Sequence, residues 1–237
     1  DDIVKKIVKE LSYYIQDGFV YRVDLSLRPY GKSGKLVNSL ENMKNYYFSK
    51  ASPWEMQALL KLFPVAGNWY LGYELVHQLR NYMVNLNDYS KILQSIKTNR
   101  KKSIIKYEIK KISGIDIKNC SGGIREIEFA IQGLQIKNLN KFPELWERNT
   151  LMAIKKLRIL KIISDHNAEI FRRYYSLFRR LEHFLQLMED RQTHILPKDE
   201  LEVDSLAKRL FGNEATAEDL YKRLEKGFSE IQKLISI

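Results

Sequence analysis

Cysteine occurs once in the 237 residues, at position 120, so no disulfide can close within the chain. The four histidines are scattered. With no Cys-x-x-Cys or His-Glu-x-x-His spacing, neither a structural zinc site nor a zinc protease is legible. Eleven glycines and five prolines are too few for a collagen-like or low-complexity chain, and a hydrophobic content of 44% is enough for a substantial core, which excludes disorder. No run of about 18 uncharged apolar residues occurs, and no apolar signal segment opens the chain. A reducing, cytoplasmic setting without a membrane is therefore expected. The chain opens on Asp1 and not Met, as a processed piece or a partial sequence would. Acid is the scarcer charge: 29 Asp and Glu stand against 40 Lys and Arg, a formal net charge of +11. That excess suits nucleotides, nucleic acid or an acidic protein, although a basic solvated surface explains it as simply.

Local patterning is mostly helical. Ile3, Val4, Ile7, Val8, Leu11 and Ile15 keep three- and four-residue spacing up to Asp17-Gly18, which predicts an amphipathic helix. From Phe19 to Arg28 apolar residues alternate with Arg22, Asp24, Ser26 and Arg28, which predicts a strand carrying those four on one face. Pro29 to Gly34 is a turn-rich loop, Ser39 an N-cap, and Ser52-Pro53-Trp54-Glu55 a capping box. Leu60 to Val65 fits either a helix or a strand. Beyond about Tyr70 the 3.6-residue period dominates, with helices expected near 71–84, 95–112, 123–138, 147–163, 166–190, 200–211 and 217–235. Gly212 reads as a helix stop, and Thr216 with Asp219 as a second capping box.

Three constellations could carry chemistry. Asp24 between Arg22 and Arg28 suits a metal holding phosphate oxygens, while charges on the solvent side of a sheet are the commoner use of such a pattern. Gly122-Gly123-Ile124-Arg125-Glu126-Ile127-Glu128-Phe129 mimics the paired acids of a nucleotidyltransferase strand. Helical spacing of Ile124, Ile127, Ile131 and Leu134 argues otherwise, because at about 100° per residue Glu126 and Glu128 diverge by about 160°. What remains is a glycine-opened helix N-terminus with Arg125, suited to an anion or to packing, and a Glu128 able to pair with Arg125. Third, Lys97, Arg100, Lys101, Lys102, Lys106, Lys110 and Lys111 line one helix opposite Ile104, Ile105, Ile109 and Ile112. This is a solvated basic face by default and an RNA-binding face otherwise. His77, His166, His183 and His194 form no readable triad with Ser, Cys or Asp.

Taken together, Tyr21-Arg22-Val23-Asp24-Leu25-Ser26-Leu27-Arg28-Pro29-Tyr30-Gly31-Lys32-Ser33-Gly34, Trp54-Glu55 with Gln57-Ala58-Leu59, and Pro64-Val65-Ala66-Gly67 resemble the bacterial glutamine-synthetase adenylyltransferase/adenylyl-removing family. So do Ser121 to Phe129, Arg180-Leu181-Glu182-His183 with Gln186, and Thr193-His194-Ile195-Leu196-Pro197. The resemblance implies a mainly α chain with a small β part: the C-terminal portion of a polymerase-β-like nucleotidyltransferase domain over residues 1–69, then a helical bundle over 70–237. It implies AMP transfer to or from a glutamine-synthetase tyrosine with Mg2+ or Mn2+, with ATP or ADP and phosphate as substrates or products, and with glutamine synthetase and a PII signal protein as partners. By similarity Asp24 is the third metal-binding aspartate, and Arg22, Arg28, Lys61, Gly122, Gly123 and Arg125 lie at nucleotide or phosphate positions. Ile-Arg-Glu-Ile-Glu-Phe looks more like the adenylyl-removing unit than the adding one. Two departures qualify the pattern. No Asp-x-Asp pair occurs, so the first two carboxylates are expected ahead of Asp1 and the chain alone is expected to be inert. Phe63 stands where the family usually has Arg, and Asn68 where it has Asp. The rival reading is a non-catalytic basic helical module that binds RNA or an acidic protein.

Overall fold

The computed structural model describes residues 1–13, 21, 23–109, 114–189 and 193–235. Ten α-helices account for most of them: α1 (Asp2–Ser12), α2 (Leu40–Ser49), α3 (Pro53–Ala58), α4 (Trp69–Val84), α5 (Ser90–Ile109), α6 (Ile124–Lys137), α7 (Thr150–Ile159), α8 (Asp165–Glu189), α9 (Glu200–Phe211) and α10 (Ala217–Ile235). The chain is mainly α. Among the described residues the only β pairing is one antiparallel bridge between Asp116 and Ile195.

The expected strand over 19–28 requires correction. Its described part, residues 23–26, is irregular, and residues 27 and 28 lie in a bend. Alternating side chains prepare a strand, but a strand exists only when a neighbour takes up its N–H and C=O groups in a ladder, and among the described residues the segment has one such bond, from the Tyr21 N–H to the Leu11 carbonyl at 2.9 Å, and no ladder. Residues 19, 20 and 22 lie outside the described part.

Two compact units divide the chain, Asp1–Asp88 and Tyr89–Ile237. In the first, α4, placed by its periodicity at the head of the bundle, packs instead on α2, with the Phe48 and Tyr82 rings 4.6 Å apart. Its core is Tyr46, Tyr47, Met56, Leu59, Leu60, Leu79 and Met83. The capping box forms as expected: the Ser52 N–H donates to Glu55 Oε2 at 2.8 Å, and Ser39 Oγ caps α2 by accepting from Asn42 N–H at 3.2 Å. Leu59–Lys61 closes as a short 3-10 turn. No residue of α1 is buried despite its apolar stripe.

The second unit is a bundle. The predicted stripe of α8 buries Phe171, Tyr174, Phe178, Leu181 and Leu185 against α6, α7, α9 and α10. Removing such side chains from water stabilises by about 2 kcal/mol each. Gly212 ends α9 at φ 105°, and Thr216 and Asp219 exchange capping hydrogen bonds at 3.0 and 3.3 Å.

Candidate functional site

In the first unit Asp24 is exposed, and its Oδ1 accepts the Ser26 N–H at 2.8 Å, an Asx turn that fixes the carboxylate at the edge of the 23–34 segment. Arg28 is half-buried and committed to the loop itself. Its Nε donates to the Gly34 carbonyl at 3.1 Å, Nη2 to the Lys32 carbonyl at 3.0 Å, and Nη1 to the Leu25 carbonyl. A planar five-donor group is well suited to gathering three carbonyls of one tight loop. Tyr30 sits inside that loop at φ 62°, left-handed backbone that a non-glycine residue adopts at a cost. Arg22 lies outside the described residues.

A cleft of about 240 Å³ opens beside the loop, lined by Leu27, Tyr47, Glu55, Lys61 and Phe63 among others. Lys61 is thus brought to a cavity, whereas Asp24 and Arg28 do not line it. The carboxylate in the cleft is already engaged. Glu55 accepts from Tyr46 Oη at 2.7 and 2.9 Å as well as from the Ser52 N–H. Burial first, then the Glu55 hydrogen bond, pushes the Tyr46 hydroxyl up. Tyr47 is pushed up to about 12, again by burial first and then by Glu55. Neither phenol ionises near neutral pH.

The glycine-opened helix start belongs to the second unit, and its geometry corrects the picture of free N–H groups awaiting an anion. Ile124 N–H donates to the Ile117 carbonyl at 3.1 Å, Arg125 N–H to that of Lys118 at 3.1 Å, and Glu126 and Ile127 N–H to that of Gly123 at 3.1 and 3.3 Å. The loop from 114 folds back under the helix and occupies those donors, which satisfies the orphan groups every helix N-terminus carries. The glycines are there for room. Gly122 has φ 80°, and a Cβ on it would stand 2.4 Å from the Phe228 carbonyl oxygen; one on Gly123 would stand 2.7 Å from that of Ile117. Arg125 Nη1 donates to Ser103 Oγ at 3.1 Å.

Glu126 and Glu128 diverge as the helical spacing requires. Glu126 is buried, accepting the Gly122 N–H at 2.6 Å and pairing with Arg100 Nε. Glu128 accepts Tyr175 Oη at 3.0 Å. The expected Arg125 partner gives way to a tyrosine from α8, and burial, then the Glu128 charge, raises the Tyr175 hydroxyl to about 12.

Around the same loop the fold assembles a polar network that spacing alone did not reveal. Lys118 Nζ lies 3.2 Å from Oε1 of the buried Glu182, whose Oε2 is 2.6 Å from Arg179 Nη1. Asp116, 1% exposed, accepts the N–H groups of Lys118 and Asn119 at 3.0 and 2.8 Å and Asn119 Nδ2 at 2.9 Å. His194 Nε2 stands 3.4 Å from Asp116 Oδ2 and 3.0 Å from Asn119 Nδ2. Burial alone would raise the Asp116 carboxyl, but contacts from His194 and Asn119 outweigh it and hold the group below the ordinary range. Cys120 lies under this network, and burial, then the charges of Asp116 and Glu126, pushes its thiol far up, leaving it unreactive.

Segments 121–129, 180–186 and 193–197, singled out separately in the sequence, thus meet at one loop. Asp116, Lys118 and Asn119, which join them, escaped notice. Their signal was an Asp-x-Lys-Asn turn between two helices, common in any chain.

On α5, Lys97, Lys101 and Lys102 are exposed, whereas Arg100 turns inward to Glu126. Lys110 and Lys111 lie outside the described residues, as does the side chain of Lys106. Among the described residues no three His, Cys, Asp or Glu groups stand close enough to hold a metal ion, and no helix is long and apolar enough to cross a membrane.

Two family models match the chain in succession. The model described as glutamate-ammonia ligase adenylyltransferase matches residues 2–114, and that described as GlnD PII-uridylyltransferase matches residues 72–237. Both are nucleotidyltransferase-related.

Proposed function

The chain belongs to the GlnD PII-uridylyltransferase family by the match over residues 72–237, a nucleotidyltransferase-related family, and with the second match beside it we propose that the chain is a portion of a nucleotidyltransferase that moves AMP on a tyrosine of glutamine synthetase. The observation that carries the substrate is the match of residues 2–114 to glutamate-ammonia ligase adenylyltransferase.

The favoured direction is removal, supported by the wording Ile124-Arg125-Glu126-Ile127-Glu128-Phe129. A phosphate oxygen would attack the phosphorus of the tyrosyl-AMP, the bond from that phosphorus to the tyrosine oxygen would break, the tyrosine would leave with the proton given up by the attacking hydrogen phosphate, and ADP would form. In this reading Asp24, held at a loop edge by Ser26, would contribute one carboxylate to holding a divalent cation against the phosphoryl groups, and Lys61 supplies charge in the neighbouring cleft. Arg28 contributes by shaping the loop, since its nitrogens already serve three carbonyls. Gly122, Gly123 and Arg125 contribute through packing. The described residues do not by themselves make a two-metal clamp, because Asp24 lies in no cluster of three ligating groups among them, so no step is routed through Mg2+ or Mn2+. A PII signal protein is the proposed regulatory partner.

The test incubates glutamine synthetase carrying labelled AMP with phosphate, Mg2+ and the protein in its natural reading frame. Release of labelled ADP that is abolished by Asp24→Asn supports the reading. ATP-dependent labelling of unmodified synthetase instead reverses the direction, and no transfer either way overturns the function. The 237-residue chain alone is expected to release no ADP.

A further inference from the structure

A cleft of about 160 Å³ opens in the second unit where Arg173, Tyr174 and Leu177 of α8 meet Phe211 of α9 and Arg223 and Lys226 of α10. Its walls are apolar and its rim is cationic. The Arg223 guanidinium lies 4.4 Å from the Phe211 ring centroid and that of Arg173 lies 5.6 Å from the Tyr174 centroid, so both cations are held over rings. Neither has a carboxylate within 4.0 Å among the described residues, unlike the neighbouring Arg172, which pairs with Glu169 at 2.6 Å. Lys226 has only a distant partner, Glu230, at 3.9 Å.

The Tyr174 hydroxyl is the one buried side-chain polar atom without a hydrogen-bond partner among the described residues. Burial first, then the charge of Glu230 and a loose hydrogen-bonding approach to it, raises this phenol, so the nearest acceptor to the hydroxyl is the Glu230 carboxylate. Arg173, Arg223 and Lys226 place three positive charges around one rim, with Glu230 beside Lys226 at 3.9 Å, and that surplus of positive charge favours an anion.

We infer that this cleft binds a small oxyanion carried on an apolar body. A guanidinium held over a ring still has N–H groups to offer an oxyanion, and Leu177 and Phe211 supply the wall for a ring or short alkyl group. The volume is several times that of one water, at about 30 Å³, and well below the usual range for drug-sized ligands. It therefore suits a single ring and excludes a nucleotide, which separates this site from the proposed transfer chemistry.

The test titrates benzoate, phenyl phosphate, inorganic phosphate and benzyl alcohol into the protein, followed by backbone amide NMR shifts. One or both phenyl anions are expected to saturate at about millimolar concentration, with shifts confined to α8, α9 and α10. Inorganic phosphate and benzyl alcohol are each expected to bind about tenfold more weakly. Which phenyl anion binds more tightly distinguishes a carboxylate ligand from a phosphate ester. Arg173 and Arg223 are exposed, so the double variant Arg173→Gln/Arg223→Gln should keep its thermal midpoint and lose about tenfold in affinity. Absence of saturable binding by either phenyl anion, equal affinity for inorganic phosphate, or an unchanged affinity in the double variant overturns the inference.

Discussion

Lys118, in the loop entering α6, holds its ammonium 3.2 Å from Glu182, a carboxylate buried in α8. Arg179, one turn before Glu182, takes the other oxygen. The two cations are partly exposed and can regain water, whereas the carboxylate cannot. Removing Lys118 alone, as Lys118→Met, is expected to cost about 1 kcal/mol, because Arg179 still pairs with Glu182. Lys118→Met/Arg179→Met strands a buried charge and should cost about 3–5 kcal/mol. Urea unfolding of both variants checks this; equal, small losses would mean that water reaches Glu182 once its partners are gone.

Gly122 and Gly133 make opposite predictions for the same substitution. Gly122→Ala forces a Cβ into the Phe228 backbone at a positive φ and should destabilise by about 2 kcal/mol or more. At Gly133, within α6, nothing lies within 4 Å of the added carbon, so Gly133→Ala should stabilise by about 0.5–1 kcal/mol through helix propensity. Thermal melts of the two variants should move in opposite directions.

Asp116 links stability to acid. Its folded-state carboxyl lies below the ordinary value, so the stability it adds is complete above the unfolded pKa, near 3.9, and is lost as pH falls through the lower folded value. Asp116→Asn should therefore be less stable than the parent at pH 6, with the gap shrinking below about pH 4. Denaturant midpoints measured across that range decide it. A gap that persists unchanged in acid would assign the loss to geometry and not to charge.

Glu55 serves two structures at once, the start of α3 and the Tyr46 hydroxyl. Glu55→Ala is expected to cost about 2–3 kcal/mol, a lost cap plus an orphaned buried hydroxyl, and Tyr46→Phe about 1 kcal/mol. In the double variant the two losses should fall short of their sum, because the Tyr46–Glu55 bond is counted in both. Chemical denaturation of the four proteins gives the coupling directly.

Helices were legible because their signals are local. The α8 stripe, the Ser39 and Ser52 caps and the Gly212 stop each depend on residues within one or two turns. The strand over 19–28 was misread for the opposite reason, since its realisation depends on a partner that period-two alternation does not supply. In the same way the Gly122-Gly123 pair was legible as a helix start, but the need for Gly122 lies about a hundred residues away, in the backbone of Phe228, and that for Gly123 in the carbonyl of Ile117. Arg28 reads in the sequence as a phosphate position by similarity, whereas in the structure its nitrogens serve the loop. Its commitment to three loop carbonyls follows from backbone geometry that residue type does not encode. The meeting of Asp116 with His194 is likewise a tertiary fact.

The seat of Gly122 on Phe228 also bears on the far end of the chain. Gln232 Nε2 donates to the Ser121 carbonyl at 3.1 Å, and Arg100 Nη1 reaches the Ile235 carbonyl at 3.4 Å. Three positions of the last helix therefore clasp residues that come more than a hundred places earlier. α10 behaves as the keystone of its unit, and a chain shortened after α9 would lose the floor beneath its central turn along with its final helix.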